Sequence, residues 1–600
     1  MHILFCLLYM FFFYGVCAWA LCVDGGIKKI SNLLGNFNIK RVLLVLVIIV
    51  CSVLFVAIWI KQDSYVYYWD LGGYWSKSIN RMNEMFNYSF KETFQSLMLS
   101  INEDDYNIFL PTIISLPLQI VGYTFRKYVV VCAIFFLVPV IILSGLVSVK
   151  IFESINKVSP FYAFLIGILV AALMPTNYYT MLRGYIDIAC YIPILSLIWL
   201  FWDYDFKRIQ ITRNIAIALM MVVSWICRRY IVYFIIGYVV ALLTKAICIL
   251  VKNGFFYLKS IILDFVMIGG ISIGLLLILF KDFILNALLT DYGDMYSAYN
   301  WELKSKIDAL ITSFGGAAFF TLLIAILLCF INRQYRVNII SIIILGLSET
   351  IIFWQTQIMD THHRMMLNPM FFVGTVIIIY NVIYIWKNEA IKDKCFKLLG
   401  SIGALLFVLN FCFAYIPVLP DNLCGKTFAI RYIPLTRNDL YDLQVIKSVL
   451  NELTIGTEDS IYVTASGSIL NSDILRKIDM PNSGNAIPMM QGTCDVDLRD
   501  GFPSGFLTAK YIVATDPVQL HLPDGQEVVS YLNDNVMNQE SYLGQHFEKI
   551  YSREIEDGVN VIIYRKNSEF SEEDLLKLKD YYDNLYPDHY DMFGERILEN

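Results

Sequence analysis

Long apolar runs separated by short polar connections occupy the first two-thirds of the chain. A bilayer-crossing helix needs about 20 mostly apolar residues. The runs that reach or approach this length are Ile3–Cys22, Val42–Ile60, Tyr128–Val149, Phe161–Pro175, Tyr185–Trp202, Asn214–Ile226 and Tyr230–Leu250. They continue with Leu258–Phe283, Asp308–Phe330, Asn338–Trp354, Met370–Trp386 and Leu398–Ile416. The pattern predicts about 12 transmembrane helices. Ile3–Cys22 has the length of a secretory signal, but it has no basic start and is followed by the poor cleavage site Val23-Asp24-Gly25-Gly26, so a retained helix is expected. Tyr106–Gly122 is apolar, short and carries two prolines. Counting it as a span would invert every later loop, so it is expected to lie along the membrane interface.

From Pro420 the pattern changes. "SIYVTA", "AKYIVATD" and "GVNVIIYRK" have the character of strands, whereas "NDLYDLQVIKSVLNEL" and "GQEVVSYLNDNVM" have helical spacing. Strands alternating with helices predict a small α/β domain. Ser571 and Asp574 stand where a capping box would open a final helix. The expected organisation is a membrane domain over 1–419, with a first external loop at 61–127, and an α/β domain over 420–600 outside the membrane.

Charge orients the spans. Lys28, Lys29, Lys40, Arg41, Lys150, Lys157, Lys207, Arg208 and Arg213 fall on one alternating set of loops, followed by Lys245, Lys252, Lys259, Arg333, Arg336, Lys387, Lys392, Lys394 and Lys397. The opposite set carries Asp63, Asp70, Glu84, Glu92, Glu103, Asp104, Asp105, Asp291, Asp294 and Asp360. By the positive-inside rule the first set is cytoplasmic, so the acidic loops and everything after Ile416 are expected outside a plasma membrane. Composition agrees with a bilayer protein: 57% of the residues are hydrophobic, mean hydropathy is +0.59 and only 16% are charged. A net charge of −6 gives no electrostatic case for nucleic acid. Eleven of the 13 cysteines precede Pro420 without metal-type spacing; Cys424 and Cys494 follow it and would be able to pair outside the cell.

Candidate chemistry collects on the loops expected outside. "QDSYVYYWDLGGYW" places Asp63 and Asp70 in an aromatic segment directly after a span, and "NEDDYN" adds Asp104 and Asp105. An aromatic belt has no use for acids, and a carboxylate returning toward the membrane is costly without a role. Arg183, Arg228 and Arg229 lie on two further outer turns, and "MDTHHRMM" brings Asp360, His362, His363 and Arg364. Arginine binds phosphate oxygens bidentately, and a carboxylate can take a proton from an attacking hydroxyl. Each residue also has a plainer reading. Arg183 and Asp187, four apart, would pair if they shared a helix; Arg228 and Arg229 would snorkel to headgroups; Asp104 and Asp105 would hold a divalent cation or form a solvated loop. Adjacent histidines in an extended segment point apart, which weighs against a metal at His362 and His363.

This layout resembles the C-type (GT-C) fold of integral-membrane glycosyltransferases, among them the bacterial mannosyltransferase-like group, over roughly Val42 to Ile416. The likeness rests on the acidic-aromatic opening of the first external loop, "QDSYVYYWDLGGYW", the following "DDYNIFLPTIISLPLQIVG", and the Arg183-Gly184-Tyr185 helix start. It implies an inverting enzyme that uses a polyprenyl-phosphate sugar on the extracytoplasmic face, with the first-loop aspartate as base. That role maps onto Asp70, with Asp63 as the second candidate. Arg228, Arg229, Arg364 and Arg183 would bind the donor phosphate; Asp104, Asp105, His362 and His363 would serve the acceptor or a divalent cation. The chain departs from the family in separating its two first-loop acids by seven positions and in carrying an additional N-terminal span.

The expected function is therefore transfer of a sugar from a lipid-phosphate donor to a cell-envelope glycan, lipid or protein. A transporter or flippase of lipid-linked glycans, or a glycan polymerase or ligase using a lipid diphosphate, are the alternatives. Against transport, the charges cluster at the outer edge, and the deep acids Asp264 and Glu349 have no evident cationic partner.

Overall fold

A computed structural model describes residues 2–153, 158–331, 335–386, 393–479 and 489–599. Lys157, Arg333, Lys387 and Lys392 of the basic loops lie outside the described residues. The chain divides into two compact units, one formed by 1–62, 70–290 and 302–434, the other by 63–69, 291–301 and 435–600.

The first unit is built from helices. Among the described residues seven are long and apolar enough to cross a bilayer: Ile3–Leu34, Ile39–Lys61, Phe125–Glu153, Arg229–Leu279, Arg336–Phe353, His363–Ile383 and Lys397–Tyr415. Two bent pairs bring the number to nine: Pro160–Ala172 with Thr176–Leu182, and Leu303–Phe314 with Gly316–Leu328. Every run expected from the sequence falls on one of these or on the shorter apolar helices Asp187–Trp202 and Ile211–Cys227, but length and composition alone give seven to nine spans rather than about 12. The first bend follows from Pro175, which offers no N–H to continue a helix. The second sits at Gly315, where φ is +78° and a Cβ would stand 2.5 Å from the Phe428 and Ala429 backbone.

The helices at the periphery turn apolar side chains outward. His2–Cys22 exposes Ile3, Leu4, Leu7, Leu8, Phe11 and Phe12 and buries Phe5, Cys6, Phe13 and Cys17. Such a surface is stable only under lipid. The 109–121 helix departs from expectation: Phe109 to Leu118 are buried at every position. An interfacial helix must leave one face for lipid, whereas this one is enclosed by protein.

The second unit begins its main segment at Leu435 rather than Pro420 and takes in 63–69 and 291–301. Among the described residues its five strands are β1 (Ile461–Val463), β2 (Met490–Gly492), β3 (Tyr511–Asp516), β4 (Phe547–Glu554) and β5 (Asn560–Lys566), in the order β2-β1-β3-β5-β4. β1 pairs in parallel with β2 and β3, while β5 runs antiparallel to β3 and β4. Alternation along the strands feeds two cores. Ile461, Val463 and Val513 pack with Leu443, Ile446 and Leu450 on one face; Tyr462, Ile512 and Ala514 pack with Phe506, Val528 and Leu532 on the other. The capping box forms, with Ser571 accepting from Asp574 N and Asp574 accepting from Ser571 N. Cys424 and Cys494 are both free thiols, so the disulfide considered from sequence does not form.

Candidate functional site

The apolar stretch Asp187–Trp202, with Asp203 after it, carries a carboxylate at each end. Sixteen residues rising about 1.5 Å each separate them by roughly 24 Å. At the Asp203 end three cations converge. Lys150 Nζ lies 2.9 Å, Lys29 Nζ 3.0 Å and Arg213 Nη1 3.1 Å from the Asp203 carboxylate. Arg213 also pairs with Asp24 at 2.9 Å, and Lys29 with Glu153 at 2.5 Å. Lys245 donates to the Phe201 and Trp202 carbonyls, which close the helix. Several cations of the basic loop set thus share one end of the bundle.

At the other end Asp187 is wholly buried. Its Oδ1 accepts from the Tyr230 hydroxyl at 2.5 Å and lies 3.0 Å from Arg228 Nε, while Oδ2 has no hydrogen-bond partner among the described residues. Arg228 sits in an extended residue between two helices, with φ −155°, which swings its side chain off both helix faces. Its guanidinium is ringed by Tyr74, Tyr106 and Tyr230 at 4.8–5.4 Å and donates to the Tyr74 hydroxyl. The Arg183–Asp187 pairing weighed from sequence assumed one continuous helix. Gly184 breaks it, with φ +96°, and the cation that closes on Asp187 is Arg228. Arg183 instead lies over Trp59 and Tyr179 and donates to Ile433 O at 2.7 Å.

Asp70 lies in the first turn of the Trp69–Asn87 helix, half-buried, and makes no hydrogen bond or ion pair among the described residues. It is close enough to act electrostatically on Lys77, Tyr185 and Asp187. Gly184 permits this approach: a Cβ there would meet the Leu71 carbonyl at 1.8 Å. Burial holds the Lys77 ammonium below its ordinary pKa, and Asp104, Asp70 and Asp105 pull the other way.

The remaining candidates divide by how fully they are engaged. Arg229 pairs with Asp105 at 2.5 Å and donates to Asp104 O at 3.1 Å, so the acidic loop and the second arginine meet. Arg364 donates to Met359 O at 2.6 Å and to the Ser313 hydroxyl, which ties it to its own loop. His362 and His363 do not point apart. They stand in a turn with ring centroids 3.9 Å apart, and His362 stacks on Tyr185 at 4.5 Å. His362, His363 and Arg364 hold the exposed Asp360 carboxyl well below its ordinary pKa. Among the described residues no group of three or more His, Cys, Asp or Glu gathers as metal ligands.

Asp63 belongs to the second unit. Buried there, it accepts from Tyr65 N, the Tyr67 hydroxyl at 2.6 Å and Leu435 N at 3.0 Å. A carboxylate with three donors is suited to holding a loop.

Sequence reasoning missed Asp187 as the partner of Arg228, the tyrosine ring around that arginine, and Lys77. Tyr230 follows the two arginines directly, and Tyr74 and Tyr106 flank the first-loop acids, but nothing in spacing alone says they converge. A scan of protein-family models finds no match to this chain, and a search of curated proteins finds no matching relative.

Proposed function

We propose that the protein is an inverting membrane glycosyltransferase that moves a sugar from a polyprenyl-phosphate donor to a cell-envelope glycan, lipid or protein on the outer face of a plasma membrane. The single observation that supports this best is the half-buried Asp70 carboxylate, unpaired among the described residues, on the same unit as the Asp187-linked, tyrosine-ringed Arg228. Asp70 takes the proton from an acceptor hydroxyl as its oxygen bonds to the anomeric carbon. The bond from that carbon to the phosphate breaks on the opposite side, and polyprenyl phosphate leaves with its charge held by Arg228 and the arginines near it. One displacement inverts the anomeric centre and needs no covalent enzyme intermediate.

In this reading the span count is 12. The 51 residues of Arg229–Leu279 would be roughly 76 Å long, more than twice the ~30 Å hydrocarbon thickness, and cross twice. Each bent pair crosses once, and Asp187–Trp202 and Ile211–Cys227 cross as short spans. A narrow apolar cleft lined by Pro175, Phe314, Phe371 and Phe407 runs where both bent pairs break, and Ser313 links it to Arg364.

Purified protein incubated with a panel of labelled polyprenyl-phosphate and polyprenyl-diphosphate sugars tests the reading. Release of the monophosphate with an inverted product supports it. Release of diphosphate places the chain with polymerases or ligases. Turnover of neither, with lipid-linked glycan crossing vesicles, would favour transport. That second reading draws on Glu349, which is buried on the Arg336–Phe353 helix with both oxygens unpartnered among the described residues.

A further inference from the structure

We propose that the groove between the Phe90–Glu103 and Lys281–Leu289 helices holds the acceptor, and that the acceptor is an uncharged, hydroxyl-rich glycan of at least two sugar units. The inference rests on the glycosyltransferase reading and narrows its acceptor.

The groove follows from how each helix uses its faces. A capping box of Ser89 and Glu92 opens Phe90–Glu103, and Thr93, Leu97, Ser100 and Ile101 form its buried stripe. Gln95, Met98, Leu99 and Asn102, at i, i+3, i+4 and i+7, therefore share the opposite side. The Lys281–Leu289 helix meets this side: Phe283 and Ile284 are buried, and Phe283 N–H donates to Asn102 Oδ1 at 3.4 Å. Between them lies an open groove of about 320 Å³, lined by the apolar Phe94, Met98 and Leu99 and the polar Gln95, Glu103 and Asp282. Both helices belong to the first unit. Ligand clefts of roughly 300–1,000 Å³ combine apolar lining with a few polar groups in this way.

The lining selects its occupant. Ionised carboxylates only accept hydrogen bonds, so Glu103 and Asp282 call for O–H or N–H donors, while the Gln95 amide serves either kind of partner. Neither carboxylate makes a hydrogen bond or ion pair among the described residues. No lysine or arginine lines the groove, so a phosphate-bearing or uronate chain would meet two like charges without compensation. An acyl chain would strip water from three polar groups and replace none of it. A sugar ring, with hydroxyls at its edge and C–H groups on its face, suits the acids and the exposed Phe94 together.

The groove also adjoins the site. Glu103 is followed by Asp104 and Asp105, which engage Arg229, and Asp282 is followed by Phe283, whose ring lies 5.5 Å from the Arg229 guanidinium. Asp104 and Asp105 act together with Asp70 on Lys77. A sugar unit held beside Glu103 leaves the next unit to present its hydroxyl toward Asp70, which is why a single unit is too short.

The test measures binding to full-length protein in nanodiscs without donor. The probes are fluorescent neutral oligosaccharides (glucan, mannan and galactan fragments of one to four units) and poly(glycerol phosphate). A neutral oligosaccharide should bind wild type, its monosaccharide about tenfold more weakly, and poly(glycerol phosphate) not measurably. Glu103→Gln or Asp282→Asn should weaken oligosaccharide binding about tenfold, and Lys91→Ala should leave it unchanged. Glu103→Lys combined with Asp282→Lys should exchange the neutral ligand for the anionic one. Binding of no neutral oligosaccharide, binding that Glu103→Gln and Asp282→Asn leave intact, or equal binding of poly(glycerol phosphate) by wild type would overturn the proposal. So would fluorescence of Phe94→Trp quenched beyond wild type by brominated acyl chains, which would assign the groove to lipid. These measurements decide the groove even if wild type transfers nothing and the enzyme reading fails. Conversely, transfer whose acceptor KM the groove variants leave untouched would keep the enzyme reading and remove the groove.

Discussion

The two ends of the Asp187–Trp202 stretch hold similar chemical groups in opposite states. At one end Asp203 is surrounded by Lys29, Lys150 and Arg213, and the neighbouring acids Asp24 and Glu153 are paired as well. At the other, Asp187 leaves one oxygen without a partner and Asp70 carries no partner among the described residues. Buried charges are expensive unless paired, so a saturated cluster is what stability alone produces. An end that leaves carboxylate oxygens open while ringing an arginine with tyrosines keeps its binding capacity for something else. Charge count would not separate the ends; saturation does.

Removing the shared arginine should have the largest effect. Arg228→Ala strands Asp187 as a buried anion, at a cost of about 3–5 kcal/mol, and should cut transfer at least about a hundredfold. Arg228→Lys keeps the charge but loses the fork, so it should fold and still transfer poorly. Asp203→Ala is the counterpart. It should lower thermal stability by a similar amount while leaving the rate per folded molecule unchanged, measured by melting and by active-site-normalised turnover. Equal loss of rate in both would erase the distinction between the ends.

Gly184→Ala sharpens the comparison by moving only backbone. Its methyl would collide with the Leu71 carbonyl at a positive φ, costing about 2–4 kcal/mol and shifting the Asp70 turn. Turnover should fall about tenfold or more in whatever fraction folds. Arg229→Ala should do far less to stability: its partner Asp105 is 68% exposed, and loss of such a pair should leave the melting temperature nearly unchanged.

The smallest effect comes from the second unit and calibrates buried carboxylates outside the candidate spans. Burial raises Asp495 and Asp497 to about 6. An unfolded Asp titrates near 4, so between these values the native state holds protons that the unfolded chain has released. These two groups should therefore stabilise the unit by about 1 kcal/mol each as pH falls from 7 toward 5, read by hydrogen exchange of the β3 amides in the full chain. Asp495→Asn should flatten that dependence.

Much of this was legible in the sequence. Each apolar run fell on helix because a bilayer imposes length and hydrophobicity on every span. The strands "AKYIVATD" and "GVNVIIYRK" were readable from β-branched content, whereas three-residue β2 and the polar edge strand β4, "FEKIYSRE", carry no such signal. The buried 109–121 helix misled because apolar composition does not say whether lipid or protein will cover it. At the site, the residues of Arg228's surroundings were mostly in view, but their pairing was not. A broken backbone at Gly184 redirected Asp187, and a turn brought His362 and His363 together, neither of which spacing encodes.

The most direct test is single-turnover release of polyprenyl phosphate from a labelled donor by Asp70→Asn and Asp203→Asn, each in nanodiscs and normalised to folded protein. The account predicts about a thousandfold loss for the first and near wild-type rate for the second. Comparable rates for the two, or a defect confined to Asp203→Asn, would contradict it.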